Sequence, residues 1–231
     1  MSTPALAANG PDSFVWWDWV SRHSDDIREA TIEHLQLTGT SILYGFVIAM
    51  AMAMVSLRWR ATYAPLAAFA GGLYSIPSLA LFGFLVPITG LGFRTAQIAL
   101  VSYTLLILLR NIVAGVDGVP QAVKDAADGM GYEPWRRFLT VDLRLATPAI
   151  VAGLRVATVT VIGLVTVAAL VGSGGYGTFI DDGLSRSFST PIVVGGFLSV
   201  VMAVAFDLVF VILQRLITPW ARAGQGAGEA G

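Results

Sequence analysis

The stretch D-A-A-D-G-M-G-Y-E-P-W-R-R-F-L-T-V-D-L-R-L-A-T-P, Asp125 to Pro148, is a polar island between segments that are nearly all apolar. Five such segments surround it, at roughly 39–57, 63–88, 95–116, 149–171 and 192–214. Each is long enough for a membrane-spanning helix, which needs about 20 apolar residues. The whole chain agrees: of 231 residues 55% are hydrophobic and only 13% charged, with a mean hydropathy of +0.73. A soluble domain carries roughly a quarter charged residues. The fold expected is therefore all-α, an integral membrane helical bundle of about five spans. A structured, charged hairpin on one side of such a bundle implies a soluble partner that grips it.

Counting Lys and Arg orients the bundle. With the 117–148 island in the cytoplasm, the inner side holds Arg58, Arg60, Arg110, Lys124, Arg136, Arg137, Arg144, Arg215 and Arg222. The outer side holds Arg22, Arg28, Arg94 and Arg186, and Arg155 lies within the fourth span. Nine against four follows the positive-inside rule and puts the N-terminus outside. Residues 1–20 lack a basic region followed by an apolar core, so no cleaved signal peptide is expected. Trp16, Trp17 and Trp19 precede a charged, helix-compatible stretch, which makes residues 1–36 an outer interfacial segment. The Gly/Ala-rich end, 221–231, reads as a disordered tail.

Within the second apolar segment Gly71, Gly72, Ser75, Pro77 and Ser78 interrupt the run, so a broken or kinked helix is expected there. In lipid, backbone groups freed by such a break must sit inside the bundle or beside a water-filled path. Tyr74, Ser75, Pro77 and Ser78 are accordingly the candidates to line a solute path, with Asn111 near the inner end of the third span beside them. Arg155 and Asp207 are charges inside the fourth and fifth spans. Isolated charges there are costly, so the two are expected to pair as a structural clamp.

The island reads as two short helices. Pro120 suits a first turn, and Val123, Ala126, Ala127 and Met130 follow at helical spacing on one face. Lys124 and Asp128 are placed to pair across one turn. Gly131 suits a left-handed cap, and Pro134 opens a second short helix with Trp135, Phe138 and Leu139 on its apolar face. Small alanines at the joint would let another protein approach closely.

Asp125-Ala126-Ala127, three residues, Gly131, nine residues, then Val141-Asp142-Leu143 resembles the EAA loop of ABC-importer permeases, E-A-A-x3-G-x9-I-x-L-P. Asp replaces Glu, Val replaces Ile, and Arg144 stands at the proline position, with Pro148 four residues later. Ile76-Pro77-Ser78-Leu79-Ala80, Gly90-Leu91-Gly92, Leu109-Arg110-Asn111 and Val171 to Gly177 are similar to stretches of glycine betaine, carnitine and choline permeases. So are Asp207, Gln214-Arg215 and Thr218-Pro219. The likeness covers about 40–220; methionine-type permeases share much of it. It implies a type I importer fold, with residues 37–220 as the permease domain and 117–148 as its coupling loop. Asp125, Ala126, Ala127, Gly131, Trp135 and Phe138 would be the residues that seat in a cytoplasmic ATPase. Implied partners are an ABC ATPase dimer, a second permease subunit (identical or paralogous), an extracytoplasmic substrate-binding protein and membrane lipid, in a bacterial inner membrane. The implied cargo is an osmoprotectant such as glycine betaine. Another small solute, or a motor-independent channel or scaffold, is the alternative.

Other chemistries find little support. A phosphate-binding loop needs Gly-Lys-Ser/Thr, yet the only lysine, Lys124, follows Val123. ATP and Mg are therefore expected on the partner ATPase, with no cofactor bound by this chain. The glycines from Gly172 to Gly177 read instead as a flexible external turn or gate. Without cysteine and with only His23 and His34, a metal site is not expected. A net charge of −1 and no basic recognition face argue against nucleic acid.

Overall fold

Helix follows helix in the computed structural model, which describes residues 15–218. The α-helices are α1 (Trp17–Arg22), α2 (Ser24–Arg58), α3 (Tyr63–Ser75), α4 (Ser78–Thr89) and α5 (Phe93–Asp117), then α6 (Gln121–Gly129), α7 (Pro134–Arg137), α8 (Leu143–Val167), α9 (Gly177–Arg186) and α10 (Ser189–Ile217). Among the described residues four continuous segments are long and apolar enough to cross a membrane: Ser24–Arg58, Phe93–Asp117, Pro134–Val171 and Ser189–Ile217. The pair Arg60–Ser75 and Ser78–Thr89, between which the chain turns by 96°, passes the same test when taken together, as a broken span or a re-entrant loop.

That turn has a local cause. Pro77 has no N–H to donate and precedes α4 in an extended conformation, φ −54°, ψ 135°. Its carbonyl still accepts from the Leu81 N–H at 3.0 Å, so α4 starts cleanly after it. On the other side Ser75 Oγ donates to the Gly71 carbonyl at 2.8 Å.

Two expectations need correction. The boundary expected at 36/37 falls inside an element, since α2 is continuous from Ser24 to Arg58. No Gly or Pro stands between Ser24 and Thr38, and Asp25 and Asp26 in the first turn complement the helix dipole. The polar residues there extend the span rather than form a separate element. The second helix of the island is not short either. From Pro134 it passes through a π-helical stretch, Phe138–Asp142, directly into α8. The tail 221–231 and residues 1–14 lie outside the described residues.

The chain divides into two compact units. The first comprises the described part of Met1–Ser41 with Ile76–Val101 and Thr160–Val204. His34, Leu37, Leu100, Val161, Ile162 and Val165 are fully or almost fully buried in it. The second comprises Ile42–Ser75, Ser102–Val159 and the described part of Ala205–Gly231. Its core joins Ala49 and Ala53 of α2, Leu108, Leu109, Ile112 and Val113 of α5, and Ala157 of α8. Small residues let these helices approach, as membrane packing favours. A Cβ on Gly45 would lie 1.9 Å from Thr104 Oγ1, and one on Gly153 2.6 Å from Asn111 Cβ.

Candidate functional site

The elbow lies in the second unit and is built by its own backbone. Pro120 caps α6 from just outside, its carbonyl taking the Val123 N–H at 3.0 Å. At the other end Gly131 adopts φ +80°; its N–H bonds the Asp128 carbonyl at 2.9 Å and the Tyr132 N–H bonds the Ala127 carbonyl at 3.1 Å. These two bonds are those of a Schellman cap, which needs a left-handed residue where Gly131 stands. Pro134 then starts the next helix at its first position.

Side chains fix the angle between the two arms. Arg137 bonds Asp128 at 2.5 Å across the joint, and its Nε lies 3.6 Å from buried Asp142. Lys124 does not pair with Asp128, as helical spacing suggested; its Nζ donates to the Val116 carbonyl at 3.2 Å. Arg137 reaches the same carboxylate from the other arm, and Lys124 folds back toward the end of α5. Asp125 accepts from Gln121 Nε2 at 2.8 Å.

Of the apolar face read from the periodicity, only Ala127 is buried; Val123, Ala126 and Met130 are exposed. Trp135, 61% exposed, stacks on Phe138 with ring centroids 5.7 Å apart, and Arg136 lies over the Tyr132 ring at 4.8 Å. A rigid, capped corner therefore offers methionine, alanine and indole surface outward.

Tyr74 and Ser75, at the end of α3 in the second unit, are exposed; at the start of α4 in the first unit Pro77 is exposed and Ser78 half-buried. Tyr74 meets Tyr103 of α5 edge to face at 6.0 Å. Asn111 is placed differently: its amide bonds the Ile107 carbonyl at 2.8 Å, and its side chain fills the space left by Gly153. Arg155 and Asp207 form a two-pronged ion pair, Nε to Oδ1 at 2.8 Å and an η-nitrogen to Oδ2 at 3.0 Å. Among the described residues no group of three or more His, Asp or Glu side chains is arranged to hold a metal.

A second constellation lies in the first unit, and no motif in the sequence marks it. The glycine-rich turn is an anchored structure instead of a loose external loop: Val171 and Ser173 to Gly177 are buried. Glu33 of α2 accepts from Ser173 Oγ at 2.5 Å and from the Gly175 N–H at 3.1 Å. Tyr176 donates from its hydroxyl to Thr31 Oγ1 at 2.9 Å, and its N–H faces His34 Nδ1 at 3.4 Å. His34 Nε2 meets the Ile162 carbonyl at 3.2 Å. Gly174 and Gly177 are required by contact, since a Cβ would come within 2.3 Å of Ala169 N and 2.1 Å of the Thr166 carbonyl. Thr31, Glu33 and His34 could have been suspected only from polar residues at helical spacing in a stretch read as interfacial.

The family model for binding-protein-dependent transport system inner membrane components matches residues 40–223. The chain is 31% identical over 202 residues to the glycine betaine/carnitine/choline transport system permease protein OpuCB of Bacillus subtilis, covering 87% of this chain and 93% of that one. It is 30% identical over 198 residues to the osmoprotectant import permease protein OsmW of Salmonella typhimurium, covering 84% and 92%. Among solved structures, an inward-facing form of the MetNI methionine ABC transporter superposes with a TM-score of 0.75 at 20% identity, over 85% of this chain and 98% of that chain. An amino acid ABC transporter with histidines gives 0.73 at 15% identity, over 87% and 98%.

Proposed function

We propose, starting from the fact that this chain belongs to the binding-protein-dependent transport system inner membrane component family, that it is the permease subunit of an ATP-driven ABC importer of osmoprotectants such as glycine betaine, choline or carnitine. The observation that carries the reading is the elbow: a Schellman-capped corner with the D-A-A-x3-G spacing, turning Met130 and Trp135 outward. A surface that is apolar, rigid and exposed on an otherwise membrane-embedded chain suits a soluble partner. That partner is a cytoplasmic ATPase dimer, which supplies ATP and Mg; the chain itself binds no cofactor. Asp125, Ala126, Gly131 and Trp135 are exposed on the docking surface, with half-buried Phe138 stacked on Trp135, while buried Ala127 supports it by accepting the Tyr132 N–H.

The elbow and the C-terminus then lie in the cytoplasm and the N-terminus outside, in a bacterial inner membrane. A binding protein delivers solute from outside to a path between this subunit and a second permease, identical or paralogous. Tyr74, Ser75, Pro77 and Ser78 line that path at the broken helix; Asn111, the further candidate, lies on α5 with its side chain packed against Gly153. Tyr74 is exposed and supplies an aromatic face of the kind that attracts quaternary ammonium groups, backed edge to face by buried Tyr103. Arg155 and Asp207 clamp α8 to α10 as a structural ion pair rather than an ion relay. Nucleotide binding drives the cycle only so far as the ATPase grips one arrangement of the elbow better than the other.

The decisive experiment is uptake into proteoliposomes containing this permease, its ATPase and its binding protein, with labelled glycine betaine and an unlabelled panel of choline, carnitine and methionine. Uptake that requires ATP and yields to the quaternary ammonium compounds is expected. Competition by methionine alone would overturn the substrate class, and ATP-independent flux would overturn the importer reading.

A further inference from the structure

We propose that a recess behind the elbow binds one anionic phospholipid headgroup, a phosphodiester carrying free hydroxyls such as phosphatidylglycerol. The site lies wholly in the second unit and does not depend on which solute is carried. The recess is a cavity of about 620 Å³ where the ends of α2 and α5 meet the start of the arm beginning at Pro134. Its wall is mixed. Met54, Leu57 and Val116 are apolar, Trp59 and Trp135 are indoles, and Arg58, Arg60, Lys124 and Arg137 bring four cations against a single lining carboxylate, Asp142.

Two of those cations are already spent. Arg60 is held by Asp117 at 2.8 and 2.5 Å, and Arg137 by Asp128 at 2.5 Å. Arg58 and Lys124 have no carboxylate within ion-pair distance among the described residues. Lys124 donates to the Val116 carbonyl, and Arg58 lies over the Trp59 ring at 5.7 Å. A low-polarity recess with two uncompensated positive charges favours an anion. Its position at the ends of the spans, between tryptophans, favours one that brings acyl chains with it. Basic pockets between membrane helices take phospholipid headgroups for this reason.

The buried carboxylate selects among headgroups. The Asp142 side chain is 5% exposed, and its Oδ1 is buried without a hydrogen-bond partner. Buried acceptors are nearly always satisfied, so this oxygen calls for a donor from whatever fills the recess. A glycerol headgroup offers hydroxyls to Asp142 and a phosphate to Arg58 and Lys124. A choline headgroup offers no donor. An ethanolamine headgroup offers one, but its own positive charge leaves the recess cationic.

Native mass spectrometry of the full-length permease, exchanged into micelles containing equal phosphatidylglycerol, phosphatidylmethanol and phosphatidylcholine, tests this. One phosphatidylglycerol should be retained in preference to phosphatidylmethanol, which has the phosphodiester but no hydroxyl, and both anionic lipids in preference to phosphatidylcholine. Each of Arg58→Gln and Lys124→Gln should weaken retention about fivefold, and the double variant about 25-fold. Equal retention of phosphatidylglycerol and phosphatidylcholine by the unaltered protein, a measurement that needs no variant to fold, would overturn the proposal. So would a double variant of unchanged melting temperature that holds the lipid as well as the parent, or displacement of the lipid by millimolar glycerol phosphate.

Discussion

Gly131→Ala isolates the backbone contribution to the elbow. A Cβ at this position meets nothing within 4 Å, so the substitution has no steric cost from neighbours. What it meets is its own backbone: φ is +80°, where an L-residue costs about 1–2 kcal/mol relative to its preferred conformation. Only the cap depends on that conformation, through the bonds from Gly131 to Asp128 and from Tyr132 to Ala127. The last turn of α6 should therefore open about 5- to 30-fold more often. Hydrogen exchange of the detergent-solubilised protein reads this directly, because amides in a locally opening segment exchange at its opening constant. Protection at Gly131 and Tyr132 should fall by that factor, while amides of α5 keep theirs. Gly131→Asn should lose much less, since Asn tolerates the left-handed region. An alanine variant indistinguishable from the parent would refute the reasoning. An asparagine variant as loose as alanine, or a loss of protection spreading into α5, would refute it as well.

Gly177→Ala should cost more than about 3 kcal/mol, since its Cβ would be driven to 2.1 Å from the Thr166 carbonyl, a backbone atom that cannot step aside. Gly163→Ala, with nothing within 4 Å, should stabilise by about 0.5–1 kcal/mol, and thermal melting in detergent separates the two. Glu33→Gln keeps the shape but loses the charge that receives Ser173 and the Gly175 N–H; a loss of about 1.5–3 kcal/mol is expected, read as a lower melting temperature. Arg155→Asp and Asp207→Arg should each reduce the yield of folded protein, and the double exchange should restore most of it. Failure of the exchange to rescue either single change would show that the pair is not acting as a clamp.

What the sequence discloses about this fold depends on distance along the chain. The spans are legible because burial in lipid demands long apolar runs, and the elbow because its proline, glycine and spacing act within a few residues. Interactions that close across the chain are not legible. Glu33 meets Ser173 across 140 positions, and nothing local marks either as the other's partner. The same limit explains Lys124. Helical spacing offers it Asp128 four residues on, yet the corner at Gly131 brings Arg137, nine residues beyond Asp128, to that carboxylate. Near α2 the difficulty was different. Charged residues between Ser24 and Gln36 mask a helix that the absence of Gly and Pro already implied.

At Arg144 the resemblance puts a proline, and the structure explains what arginine permits there. From Pro134 to Val171 the chain is one continuous helical segment. A proline at 144 would remove an N–H and press its ring against the carbonyl four residues earlier, at Thr140. Arginine keeps the donor, so the arm of the elbow runs on into α8. The continuity is nevertheless softened on both sides. Before Arg144 the helix widens through the π-helical stretch Phe138–Asp142, where the Leu143 N–H reaches the Phe138 carbonyl, and after it Pro148 contributes no N–H to α8. An intact turn at Arg144 is thus flanked by two weaker interruptions. Under the proposed mechanism, movement of the elbow passes into the span through a helix that bends there, at Phe138–Asp142 and Pro148, without coming apart.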